Sequence, residues 1–208
     1  MSAEEEQDTE EGAEMLELKN IKKSFNGDII FDDLSLAIER NKLTLITGES
    51  GCGKTTLLRI IAGLDKDFSG EISGLEPSEC AFSFQEYRLF PSLNAFENVY
   101  LVTNGDKEKR KEIAENALLE LGFSREDLSK FPDELSGGMK QRVALARVFV
   151  SDKSVLLLDE PTKELDAELI KILYKKIKSR LNSATVIMVT HMVEDIKEFS
   201  DCVIELKK

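Results

Sequence analysis

The chain has 208 residues, 41% of them hydrophobic, which is enough to bury one substantial core, and no apolar run approaches the roughly 20 residues that cross a bilayer. A net charge of -12, with no basic stretch interleaved with aromatics, argues against gripping a nucleic-acid backbone or lying unaided on an anionic membrane. Three cysteines at unrelated spacings, with a single histidine, point to reduced thiols and to no clustered metal site.

In chain order, residues 1–14, "MSAEEEQDTEEGAE", carry seven acidic side chains and no basic one. They are expected to form a solvated acidic tail, and they lack the basic and apolar regions of a secretion signal, so a cytosolic location is expected. A single domain is expected over 15–208. It opens with two half-exposed strands, "LELKNI" and "LSLAI", whose apolar residues alternate. Phe25, in "KSFNG" between them, has two readings: an aromatic that stacks on a nucleotide base, or a core side chain.

The buried strand "KLTLIT" (Lys42 to Thr47) runs straight into "GESGCGKTT" and the apolar helix pattern "TTLLRIIAG". Strand, then Gly48-x-x-x-x-Gly53-Lys54-Thr55, then helix is the context of a phosphate-binding loop. Glycines at 48, 51 and 53 let main-chain N–H groups converge on phosphate oxygens, and the helix start adds its partial positive charge. Gly48, Glu49, Ser50, Gly51, Cys52, Gly53, Lys54, Thr55 and Thr56 are therefore candidate nucleotide contacts. Lys54 is expected to reach the β- and γ-phosphates and the Thr55 hydroxyl to ligate Mg2+. Cys52 is expected to be a small filler between two glycines.

Gln85 ends the strand "CAFSFQ", where it can meet the metal or its water. From about 86 to 142 strand patterns stop and helical ones take over, including "KEKRKEIAENALLELGF", with Ile113, Ala117, Leu118 and Leu121 on one face. "LSGGMKQRVALAR" (Leu135 to Arg147) places Ser136, Gly137 and Gly138 at a helix start, a second anion site. The next buried strand, "VLLLDE", carries Asp159 and Glu160 at its carboxyl end, the edge where open α/β sheets bind ligands. Asp159 is expected to hold Mg2+ and Glu160 to orient or deprotonate a water. His191 ends "TVIMVTH" on the same edge, either as an ordinary strand-end residue or as a γ-phosphate contact. A short strand, "CVIEL", comes last, and no further domain is expected after it.

From about Leu16 onward these residues resemble the ATP-binding cassette (ABC) ATPases, specifically the ATPase subunits of membrane transporters. "LSGGMKQR" is similar to the family signature, far more specific than a phosphate loop alone. The resemblance implies an α/β fold with a P-loop NTPase core, a mainly parallel sheet, an antiparallel β subdomain and an inserted helical subdomain. It implies ATP as substrate with Mg2+, Phe25 as the adenine-stacking aromatic, and Gln85 as the metal-contacting hinge glutamine. It likewise implies Glu160 as the catalytic carboxylate and His191 as the switch on the γ-phosphate.

The resemblance also implies that Ser136, Gly137 and Gly138 face the γ-phosphate of a second copy, or of a homologous ATPase, packed head to tail. An integral membrane permease is the implied partner, with "LFPSLNAFENV" as the docking segment, on the inner face of the cell membrane. Met139 and "FQEYRLFPSLNAFENV" look like nitrate, sulfonate and taurine importer ATPases. An exporter subunit and a soluble ABC ATPase of the iron-sulfur assembly type are the alternatives. One departure stands out: "KELD" (Lys163 to Asp166) replaces the family's small-residue loop, with two large charged groups expected to lie across the dimer interface.

Overall fold

The computed structural model describes residues 15–191, 196–197 and 199–207; the acidic tail expected over 1–14 lies outside them. Two sheets organise the chain. Strands β1 (Met15–Phe25), β2 (Asp28–Glu39) and β4 (Ser69–Ser73) form an antiparallel sheet in the order β2-β1-β4. Strands β3 (Leu43–Gly48), β5 (Cys80–Ser83), β6 (Val155–Asp159), β7 (Thr185–Val189) and β8 (Cys202–Leu206) form a wholly parallel sheet in the order β5-β6-β7-β3-β8. Strand β4 is not apparent in the hydrophobic pattern, because "SGEIS" has one apolar residue and takes its place by pairing with β1.

Alternate residues of the central strands serve two cores. Leu156, Leu158, Val186 and Met188 face one side of the parallel sheet, where helices α2 (Ala95–Tyr100), α3 (Lys107–Glu120), α4 (Gly137–Phe149) and α5 (Ala167–Arg180) pack. Val155, Leu157, Ile187 and Val189 face the other, against α1 (Lys54–Ile61) and the inner face of the antiparallel sheet, with Leu16, Leu18 and Ile21. A strand covered on both faces has to be apolar throughout, which is why β6 and β7 are unbroken hydrophobic runs.

The expected helical segment holds α2, α3 and the first turns of α4, which continues past residue 142 to Phe149. On α3 the buried residues are Ala114, Ala117 and Leu118, with Leu121 just beyond the end; Ile113 is only partly covered. Asn98, completely buried on α2, ties down the loop before it. Its Oδ1 accepts from Phe90 N at 2.8 Å, and its Nδ2 donates to the carbonyls of Phe90, Leu93 and Asn94 at 3.2, 2.8 and 3.0 Å.

Replacing Asn98 by Leu leaves those main-chain groups unpaired inside the protein, at a cost of about 2–4 kcal/mol on the usual scale for buried polar groups. The expected result is a fall in Tm of roughly 5–15 °C by differential scanning calorimetry. A Tm unchanged within error would show that the 90–94 loop does not depend on this side chain.

Candidate functional site

Strand order brings the candidate residues to one edge. The carboxyl ends of β5, β6, β7 and β3 stand in that sequence across the sheet, so Gln85, then Asp159 and Glu160, then His191, then the glycine-rich loop lie side by side. They converge on one open cleft of about 680 Å³, lined by Ser50, Gly51, Gly53, Lys54, Thr55 and Thr56 from the loop and by Gln85, Asp159, Glu160 and His191 from the other strands. Thr162, Lys163 and Glu164 complete the wall.

The loop enters α1 through Gly53, whose φ of +101° suits glycine alone. A Cβ there would come within 2.7 Å of both Ile30 Cγ2 and Phe31 Cζ, so the antiparallel sheet also closes over this point. Lys54 is buried, and its Nζ donates to the carbonyls of Gly48 and Glu49, each at 2.8 Å. Those bonds hold the ammonium inside the loop, where a phosphate would meet it together with the N-terminus of α1. Cys52 is a buried free thiol 4.0 Å from that ammonium, consistent with a packing role.

Asp159 is buried at the end of β6, and its Oδ1 has no hydrogen-bond partner. Burial pushes this carboxyl above its ordinary value, while the Thr55 hydroxyl, Arg59 and Lys54 offset part of the effect. An unpartnered carboxylate oxygen beside a threonine hydroxyl is a donor set suited to a hard cation such as Mg2+. Among the described residues no cluster of three or more His, Cys, Asp or Glu side chains could hold a metal unaided.

Glu160 adopts φ +51°, a left-handed conformation that costs a non-glycine residue about 1–3 kcal/mol, and its N–H donates to the Val189 carbonyl at 2.9 Å. Its side chain faces His191: Nε2 lies 3.2 Å from Oε1, and the His191 main-chain N–H donates to Oε2 at 3.3 Å. Burial raises the Glu160 carboxyl, and the His191 ring pulls it partly back. Gln85 is exposed at the cleft rim, two residues past β5. Phe25 stands 66% exposed at the end of β1, outside the residues lining the cleft, which disposes of the core reading.

The second glycine pair sits on α4. Ser136 caps the helix, its Oγ accepting from Met139 N at 3.3 Å, and Gly137 and Gly138 begin it. These residues do not line the cleft, yet they are linked to its wall. A Cβ on Gly137 would overlap the Glu164 carboxylate and lie 3.2 Å from the Tyr87 hydroxyl, and one on Gly138 would lie 2.7 Å from the Glu164 carbonyl oxygen. Buried Gln141, one turn along, donates to the Pro161 carbonyl at 3.2 Å. Tyr87 and Gln141 are the residues that motif reasoning misses. Gln141 has a signal in retrospect, since it lies four residues after Gly137 on the same helical face. Within this chain the Glu164 side chain of "KELD" lies against Gly137.

A family profile described as "ABC transporter" matches residues 31–163. The chain is 37% identical over 214 residues to the Fe(3+) ions import ATP-binding protein FbpC of Mannheimia succiniciproducens, covering 96% of this chain and 61% of that one. It is 39% identical over 210 residues to the spermidine/putrescine import ATP-binding protein PotA of Mycoplasma capricolum, covering 93% and 59%. The chain thus spans about three-fifths of the length of the curated relatives it matches. Among solved structures it resembles the dimeric post-hydrolysis state of the ATP-binding cassette MJ0796 bound to ADP and Pi, with a TM-score of 0.81, 30% identity, and coverage of 92% of this chain and 94% of that one.

Because burial lifts the Asp159 value above that of the unfolded chain, folding favours its protonated form. That contribution to stability is complete at pH below the unfolded value near 4 and is lost as pH rises through the folded one. Asp159→Asn is therefore expected to raise the Tm of the nucleotide-free protein at pH 8, by roughly 2–4 °C per kcal/mol recovered, with a smaller gain at pH 5. Mg2+-dependent nucleotide binding should fall in the same variant. Melting curves at the two pH values decide the matter; a variant less stable than the parent at pH 8 would count against a buried carboxylate with one oxygen unpaired.

Proposed function

The chain belongs to the ABC transporter family, and from that premise we propose that it is the ATP-hydrolysing, energy-coupling subunit of an importer. ATP closes a head-to-tail dimer, and hydrolysis reopens it. The observation that carries the reading is the meeting of the phosphate loop, Asp159, Glu160 and His191 in one cleft, with a second helix N-terminus placed outside it. The relatives named above are import ATP-binding proteins, and the similar cassette MJ0796 is dimeric with ADP and Pi, which supports the same choice.

The loop amides and Lys54 bind the β- and γ-phosphates of ATP. Thr55 and Asp159, with Gln85 at the rim, would hold Mg2+, which when bound would supply charge neutralisation to the phosphates. Glu160 accepts a proton from the water that attacks the γ-phosphorus; bond formation there breaks the bond to the β,γ-bridging oxygen, and ADP leaves. A carboxyl raised by burial is the better base for this step. His191 keeps Glu160 oriented and contacts the γ-phosphate. Phe25, free of the core, is available to stack on adenine. Ser136, Gly137 and Gly138 close on the γ-phosphate held by a second copy or a homologous ATPase, and no nucleic acid takes part.

A permease of the cell membrane is the remaining partner, which places the protein on the inner membrane face; among the described residues no helix is long and apolar enough to cross a membrane. A groove of about 410 Å³, lined by Phe84, Tyr87, Arg88, Leu101, Val102 and Arg147, opens beside the loop after Gln85 and suits a short helix of such a partner. As to solute, the relatives named are Fe(3+) and spermidine/putrescine import ATP-binding proteins, which are not of the nitrate, sulfonate and taurine type.

Glu160→Gln is expected to abolish steady-state ATP hydrolysis while the protein still binds Mg2+ and ATP and accumulates as a dimer on a sizing column. Lys54→Ala should weaken nucleotide binding itself, and Ser136→Arg should block dimerisation alone. Gly137→Asp is a poorer probe, since its side chain would collide with Glu164 of the same chain. Full turnover by Glu160→Gln would remove that residue from the mechanism.

The docking segment divides into two parts. Leu89 packs against the helical core, whereas Phe90 is 44% exposed with the Arg147 guanidinium 5.2 Å above its ring. Leu89→Asp is thus expected to lower Tm through packing. Phe90→Asp should leave Tm and free ATPase activity near the parent's while reducing ATP-dependent uptake in vesicles carrying the assembled transporter. Unchanged uptake with Phe90→Asp would place the docking surface elsewhere.

A further inference from the structure

The segment after Glu160 carries a group that the reaction does not use. Glu164 is an exposed residue held at φ +61°, and its carboxylate lies directly over Gly137 at the first turn of α4. The Tyr87 hydroxyl reaches the same point, and burial together with the facing Glu164 carboxylate pushes that phenol up to about 12. Arg88, next to Tyr87, is also left-handed, at φ +45°; its carbonyl accepts from Arg147 Nη1 at 2.9 Å, and its guanidinium lies 4.0 Å above the Phe84 ring. Two strained, non-glycine residues therefore flank one contact, and strain of this kind persists only where the surroundings hold it.

The place is significant because a helix N-terminus attracts anions. If Gly137 and Gly138 receive the γ-phosphate of a second copy, the carboxylate already beside them is a competing negative charge of the same chain. We propose that Glu164 is a positioning residue that covers the α4 glycines of its own chain and has to be displaced before a second copy's γ-phosphate reaches them, with Tyr87 holding it in the covering position. The proposal rests on the head-to-tail reading above. Like charges brought together at an interface oppose association, so the cover raises the ATP concentration at which two copies close.

Tyr87 also gives the cover a release. It lies two residues from Gln85 in the nucleotide cleft, and with Arg88 it lines the groove suited to a permease helix. A helix seated in that groove would touch Tyr87, the residue that holds Glu164 in place, and on the same proposal ATP-driven closure would be favoured with the membrane partner bound. Glu164 also lines the nucleotide cleft of its own chain, and it therefore borders both the chain's own cleft and the surface that completes another's.

The experiment uses the full chain carrying Glu160→Gln, titrated with ATP at fixed Mg2+, with dimer measured by sedimentation velocity. Adding Glu164→Ala or the shape-preserving Glu164→Gln is expected to lower the ATP concentration for half-maximal dimer by about fivefold or more. Tyr87→Phe should act in the same direction with smaller effect. Because Glu164 also lines the cleft, the affinity of each monomer for a fluorescent ADP analogue is measured alongside, and the dimerisation midpoints are compared at equal nucleotide occupancy. A residue of merely structural importance would shift dimerisation the other way or leave it alone. An unchanged or higher ATP requirement in both Glu164 variants, with the parent dimerising normally, overturns this proposal and leaves the head-to-tail reading standing. Absence of ATP-driven dimer in every variant, parent included, overturns both.

Discussion

Strands β6 and β7 are covered on both faces, and the rest of the molecule follows from that constraint. Neither strand can carry a charge along its length without burying it unpaired, so polar chemistry is confined to the strand ends. The parallel arrangement points all of those ends the same way, and the order β5-β6-β7-β3-β8 sets them side by side. Gln85, the Asp159-Glu160 pair, His191 and the glycine-rich loop come from four separate stretches of sequence and need no further device to share a cleft.

The cleft is built at some cost to the fold. Asp159 Oδ1 is buried without a partner, Glu160 is held in a left-handed conformation, and the Lys54 ammonium is tied to two loop carbonyls. On the proposed function, the first and last of these groups would be better accommodated with an anion and a cation bound: the carboxylate would gain a metal, the ammonium would gain phosphate, and the loop amides would gain acceptors. A site poised in this way binds its ligands partly by relieving its own unmet interactions, and it has little use for flexible side chains. The two cores beneath it, one on each side of the parallel sheet, supply the rigidity that such an arrangement requires.

How much of this is legible in the amino-acid order depends on the reach of each interaction. The loop from Gly48 to Thr56, the Asp159-Glu160 pair and His191 are readable because each lies within a few residues of a buried strand whose end it marks. The antiparallel strand β4 is not, since "SGEIS" has almost no pattern of its own and is created by pairing with β1. Phe25 is undecidable from the sequence, where a lone aromatic fits a core or a surface equally, and only its 66% exposure separates the two. The meeting of Tyr87, Gly137 and Glu164 is further from reach. The sequence singles out Lys163 and Glu164 as large charged residues in a small-residue loop, but which surface they face is a property of three distant segments brought together by the folded helical side.

Residues 160–166 are therefore the mechanical centre of the chain as well as its chemical one. The segment begins at Glu160 beside His191, passes Pro161, whose carbonyl is fixed by Gln141 of α4, and reaches Glu164 over Gly137. It ends at Asp166, which caps α5 by accepting from Leu169 N at 2.9 Å. Seven residues thus connect the carboxylate nearest the attacking water, on the proposed mechanism, with the N-termini of two helices. With Glu160 and Glu164 both left-handed and both ends pinned, the segment has few ways to relax gradually. On the proposed head-to-tail reading, a displacement at either end would be passed to the other, linking a phosphate in one cleft to the surface offered to a second copy.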